Sequence, residues 1–212
     1  MPTKAKTTET VTIKPPNMKI IKLKIRGTAP LCINRFSEKA KRMMKEKQES
    51  GSTARGKRAR EKRDFEADFE GAKHISEDGW LGIHAAAFRN ASISACRTVG
   101  FKMTHAKLAL FIEADGYDKA DAVPLVRITE GEPEMWITAV RNETGVADLR
   151  SRPLWRKWGA VLTVRFDADM FTKTDVVNLM ARVGTQVGVG EGHPDGKKSA
   201  GMGFGLFEIV NE

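Results

Sequence analysis

The chain has 212 residues, 41% of them hydrophobic and 30% charged. That is enough apolar material for a core, and it excludes wholesale disorder. The net charge of +9 is unevenly placed: residues 1–63 hold 19 Lys/Arg against 5 Asp/Glu, net +14, and the remainder is net −5. The first third of the chain is therefore a polycation, whose natural partner is anionic.

Cys32 and Cys96 show no CxxC spacing, and His74, His84, His105 and His193 form no paired ligand pattern. A disulfide framework, a bound metal and a cofactor are not expected, and a reducing, cytoplasmic setting is. The opening MPTKAKTTET has no apolar signal core. The longest charge-free run, residues 79–88, is half of what a bilayer needs, so no membrane partner is expected.

Residues 1–17 read as a basic, mobile tail ending at Pro15-Pro16. In MKIIKLKIR (18–26), Ile21, Leu23 and Ile25 alternate with Lys22, Lys24 and Arg26, which predicts a half-buried strand with one cationic face. Residues 36–48 suit a short amphipathic helix with Phe36, Ala40, Met43 and Met44 on one side. Residues 50–63, with Arg55, Lys57, Arg58 and Arg60, cannot bury a core. They read as a solvated insertion, or as an arm that orders on meeting phosphates, and both readings are compatible. DFEADFEGAK (64–73) resumes helical composition.

Residues 83–99 predict an Ala-rich helix with Phe88, Ala91, Ala95 and Val99 on one stripe, its small side chains allowing close approach to a sheet. Residues 107–113 predict a strand, and 122–128 with 135–140 a hairpin across GEPE. GAVLTVRFD (159–167) predicts a strand, and Thr172-Lys-Thr-Asp175 caps a helix that Gly184 stops. Residues 204–210 predict a last strand. Without the insertions at 36–72 and 114–140, the order is β-α-β-β-α-β. This is an α+β, ferredoxin-like core over residues 18–212 with a basic helical insertion after its first strand and a hairpin insertion.

Eight glycines lie between Gly184 and Gly205, with Lys197, Lys198 and Ser199 among them. Glycine permits positive φ and close approach to a backbone or to phosphate oxygens, so Gly190 and Gly192 are candidate backbone binders beside the Lys pair. The competing reading is a loop whose glycines serve only tight turns. Walker A and dinucleotide fingerprints both fail: Glu191 and His193 stand where glycines are required. Asp115, Asp118 and Asp121 are spaced by three, unlike an EF-hand, and read as a solvated turn.

Ser199-Ala-Gly-Met-Gly-Phe-Gly205, just before the last strand, resembles the RAMP superfamily, the ferredoxin-fold RNA-binding proteins of CRISPR systems. The segment from Ile83 through Phe88 and Arg89 is similar to the one that introduces that family's first helix, with His84 and Asn90 in place of its proline and glycine. The resemblance implies binding of single-stranded RNA, in preference to single-stranded DNA, by homo-oligomers stacked along one strand. It also implies that the two insertions grip RNA and a neighbouring subunit, and that members which process RNA cleave it with histidine and no metal.

The residues point the same way. Lys22, Lys24 and Arg26 on a sheet edge, with Arg35 just beyond and Arg89 and Arg97 on a helix, suit phosphates better than bases. The first strand carries no exposed ring, so stacking would fall to Phe36, Trp155 or Trp158, the tryptophans having core or subunit contact as their other reading. His84, at a helix start, is the candidate general base if the chain is a metal-independent endoribonuclease; no second group commits to acid catalysis. A non-catalytic role is favoured. The remaining alternative is a structural or assembly protein with a basic arm.

Overall fold

The structure, a computed structural model, describes residues 13–36, 38–49, 63–141, 147–196 and 201–210. In chain order come β1 (Met18–Gly27), β2 (Leu31–Cys32), α1 (Glu38–Glu49), α2 (Phe65–Gly71), β3 (His74–Ile75) and β4 (Leu81–His84). Then follow α3 (Ala85–Ala95), α4 (Met103–Ala109), β5 (Leu110–Glu113), β6 (Gly116–Tyr117), β7 (Pro124–Glu130) and β8 (Glu134–Arg141). The last are β9 (Ala147–Trp155), β10 (Gly159–Asp167), α5 (Lys173–Arg182) and β11 (Phe207–Ile209).

The fold is α+β. Its main sheet is antiparallel in the order β11-β1-β10-β7-β4-β3; β5 pairs with the far half of β10, and β6 with β7. A separate sheet runs β2-β9-β8. The backbone of β1 follows its alternation. Leu23 and Ile25 are buried together with Ala160, Leu162, Val164 and Phe166 of β10, while Lys22, Lys24 and Arg26 stand exposed on the other face.

The buried face meets α3 and α5 through Phe88, Ala91, Ala95, Val176, Leu179 and Met180. Small residues on α3 let it lie close to the strands. The capping box of α5 forms as expected: the Thr172 hydroxyl accepts from Asp175 N–H at 3.1 Å, and the Asp175 carboxylate accepts from Thr172 N–H at 2.9 Å.

Several expectations are corrected. Strand β1 is not a sheet edge, because it lies between β11 and β10. The Ala-rich helix starts at Ala85, because Leu81–His84 is a strand paired with β7, and it tightens into a 3-10 turn at Cys96–Val99. The first half of residues 107–113 is helix, since Met103–Ala109 buries Ala106 and Ala109 at helical spacing. Gly184 does not stop α5. The chain continues through a π-helical turn, Val183–Val187, and Gly184 instead lets that turn press against the carbonyl of Phe207, where a Cβ would collide. The last strand begins at Phe207, not 204.

The predicted hairpin does not exist. Residues 124–130 and 134–141 are both strands, but β7 pairs with β10, β4 and β6, whereas β8 pairs with β9 in the other sheet. Strand β9 shows no plain apolar alternation, because its buried positions include Ser151 and Pro153 beside Leu154 and Trp155.

Candidate nucleic-acid interface

Partners in an antiparallel ladder share a face. The register Ile20↔Arg165, Lys22↔Thr163, Lys24↔Val161 and Arg26↔Gly159 therefore sets the β1 cations beside β10. On β5, Phe111 stands opposite Arg165 and Glu113 opposite Thr163; on β11, Glu208 stands opposite Arg26. Successive cations of β1 are about 6.7 Å apart, twice the strand rise. Among the described residues none of the three forms an ion pair.

Arg89 leaves α3 and reaches the edge strand β5, donating to the carbonyls of Leu110 at 3.0 Å and Lys107 at 2.6 Å. Its guanidinium lies 4.8 Å from the centre of the Phe111 ring, and that of Arg165 lies 4.5 Å from the same centre. Arg165 also pairs with Glu113. Neither Phe111 nor Arg165 was singled out from the sequence. The available signal was the outward phase of LFIE and of GAVLTVRFD.

Other candidates are committed elsewhere. Arg35 is buried, and its Nε donates to Asp121 at 2.8 Å and lies 3.6 Å from Asp118. Arg97 pairs with Asp195 at 2.7 Å and bonds Ser94. The Ser94 hydroxyl, and then Arg97, hold the Asp195 carboxyl below the usual carboxylate range. Gly190 and Gly192 have positive φ, and their carbonyls knit the loop together: Gly190 O bonds the His193 ring at 2.7 Å, and Gly192 O accepts from Met202 N–H at 2.8 Å, contacts that do not engage the N–H groups a phosphate would meet. The loop is stitched to β2 as well, Glu191 N–H donating to Cys32 O at 2.8 Å. Trp155 and Trp158 are core residues, 0% and 1% exposed, which removes them as stacking candidates; Phe36 is exposed. Arg55, Lys57, Arg58, Arg60, Lys197, Lys198 and Ser199 lie outside the described residues.

His84 caps α3, its Nδ1 accepting from Ala86 N–H at 3.0 Å, and burial pushes its pKa down. Its ring stands edge-on to His74, with centres 6.3 Å apart. His74 Nδ1 is 2.9 Å from the Asp118 carboxylate. Burial lowers the His74 pKa despite the raising effect of Asp118. Asp118 is pushed up by burial, but the Ala120 N–H, His74 and Arg35 more than offset this and hold it low. Of the acidic run read as a solvated turn, Asp115 is exposed, but Asp118 is a buried anchor for Arg35 and His74 and Asp121 is half-buried against Arg35.

Both cysteines are free and buried, and burial, then Glu191, pushes the Cys32 thiol up to about 12. No cluster of three or more His, Cys, Asp or Glu able to hold a metal occurs among the described residues. No described helix is long and apolar enough to cross a membrane. No family model and no curated protein matches the chain.

Proposed function

We propose that the chain binds single-stranded nucleic acid, RNA by preference, gripping the sugar-phosphate backbone along the open face of its main sheet and assembling as a homo-oligomer along the strand. The observation that carries this is the row Lys22, Lys24, Arg26: three exposed cations without ion-pair partners among the described residues, at strand period two. Their spacing of about 6.7 Å suits adjacent phosphates of an extended strand.

A ferredoxin-like palm of the RAMP kind belongs to the same reading. It is supported by the strand order β11-β1-β10-β5, with α3 and α5 on one face. A cytoplasmic setting fits two free, buried thiols.

The test is a gel shift with labelled RNA, single-stranded DNA and duplex at rising salt. Affinity should fall steeply with salt. Combined Lys22→Ala, Lys24→Ala and Arg26→Ala should reduce the slope by about 2, at roughly 0.7 for each phosphate that is no longer neutralised. Absence of binding to all three at low salt overturns the proposal and leaves the assembly role.

A second reading, metal-independent RNA cleavage, rests on the His74–His84 pair. His84 Nδ1 is an acceptor, which leaves its proton on Nε2; His74 Nδ1 faces a carboxylate and donates, which leaves its Nε2 lone pair open. His84 is thus arranged as the proton donor and His74 as the base, which reverses the expectation of His84 as the general base, because its Nδ1 is spent on capping α3. Incubation with RNA in EDTA, comparing wild type with His84→Ala and His74→Ala, decides it: intact RNA with wild type retires this reading.

A further inference from the structure

The open face carries one group that phosphate binding does not use. Phe111 is a half-buried ring on the same face as the β1 cations, flanked by two guanidiniums. The two flanks differ. Arg89 is tied to two backbone carbonyls, so it is a fixed wall. Arg165 is held by one carboxylate, Glu113, and both of those side chains are more than a third exposed. Arg165 can therefore lift away at the cost of one exposed ion pair, whereas releasing Arg89 breaks two hydrogen bonds to backbone carbonyls.

We propose that Phe111 is a nucleobase-stacking station at one end of the cation row, with a base of the bound strand entering between its ring and the Arg165 guanidinium. This rests on the single-strand reading above and deepens it, because it makes the face select unpaired nucleotides. Base–aromatic stacking tolerates any base, and a guanidinium closes the other side of the base as a planar cation.

The surroundings suit a base rather than a phosphate. Ile20, opposite Arg165 and 56% exposed, extends an apolar floor toward Lys22. Glu113 sets a negative charge beside the slot, which repels phosphate and accepts from base amino groups. The next residues outward on β1, Lys22 and Lys24, take the phosphates that follow. A duplex keeps its bases stacked inside and cannot fill the slot.

The experiment compares three labelled 20-mers, oligouridine, oligothymidine and an abasic phosphodiester strand, on wild type, Phe111→Leu, Phe111→Trp and Arg165→Lys, each checked for folding by thermal melting. Wild type should bind the base-bearing strands about tenfold tighter than the abasic one, the effect of a single stacked base. Phe111→Leu and Arg165→Lys should erase that preference while leaving abasic binding in place, and Phe111→Trp should keep it.

Equal binding of abasic and base-bearing strands by wild type overturns the station, as does a Phe111→Leu loss that is equal on both. The phosphate reading fails separately, if wild type binds the abasic strand no better than the variant lacking the three β1 cations does. Uridine and thymidine strands bound alike would show that the slot reads unpaired bases and not the sugar; only uridine bound by stacking would make the partner RNA.

Discussion

Val189 donates its backbone N–H to the carbonyl of Gly205 at 3.1 Å, and Gly205 holds φ at +69°, so the two ends of the glycine-rich loop lie backbone against backbone. A Cβ on Gly205 would run into the Val189 carbonyl. Gly205→Ala should therefore cost about 3 kcal/mol, combining strained φ with overpacking. Gly203, at φ +74°, has nothing within 4 Å of such a Cβ. Gly203→Ala should cost only about 1 kcal/mol, the strain of a positive φ. Denaturant midpoints of the two variants measure the difference, and equal costs would show that the close approach is not what the loop needs.

The histidines give folding a pH dependence. His74 and His84 are held below the ordinary imidazole pKa, so the folded chain binds fewer protons than the unfolded one under mild acid. Their contribution is fully present above about pH 6.5 and declines as pH falls toward their folded values. Urea midpoints at pH 7.5 and 5.5 should show lower stability at the acid end. His84→Asn, which keeps a capping side chain, should flatten that decline, whereas His84→Ala should lose about 1 kcal/mol even at pH 7.5.

Arg35 and Asp118 are both buried, with side-chain exposures of 8% and 1%. Arg35→Ala takes the shared guanidinium from both Asp118 and Asp121 and should destabilise by about 3–5 kcal/mol, whereas Asp118→Ala leaves Arg35 its 2.8 Å bond to Asp121 and should cost less. An Arg35 variant that loses nucleic-acid affinity without losing stability would assign that residue to the interface instead.

Lys22, Lys24 and Arg26 make no ion pair among the described residues and project from a ladder held by backbone hydrogen bonds. Their replacement by Ala should leave the unfolding midpoint within about 0.5 kcal/mol of wild type while the affinity for oligouridine falls. Lys197→Ala with Lys198→Ala should weaken binding by roughly 1–2 kcal/mol and lower the salt slope. Unchanged affinity in that pair would leave the glycines a purely architectural role.

What the chain declares locally is what its sequence alone settles. The alternation of residues 18–26 and of 159–167 requires one apolar and one polar face, and the Thr172–Asp175 box satisfies amide groups at the first turn of α5. The cation row was therefore legible, because a strand's side-chain period is two wherever the strand sits.

Pairing partners are a different matter, since they depend on segments distant in sequence. GEPE between two apolar runs has the look of a hairpin turn, yet β10 captures β7 and β9 captures β8. Nor does any local rule place Arg89 of α3 against the Phe111 ring of β5, or His74 beside His84 and Asp118. Those juxtapositions exist only once helix and edge strand have packed, and both the stacking slot and the histidine pair are made of them.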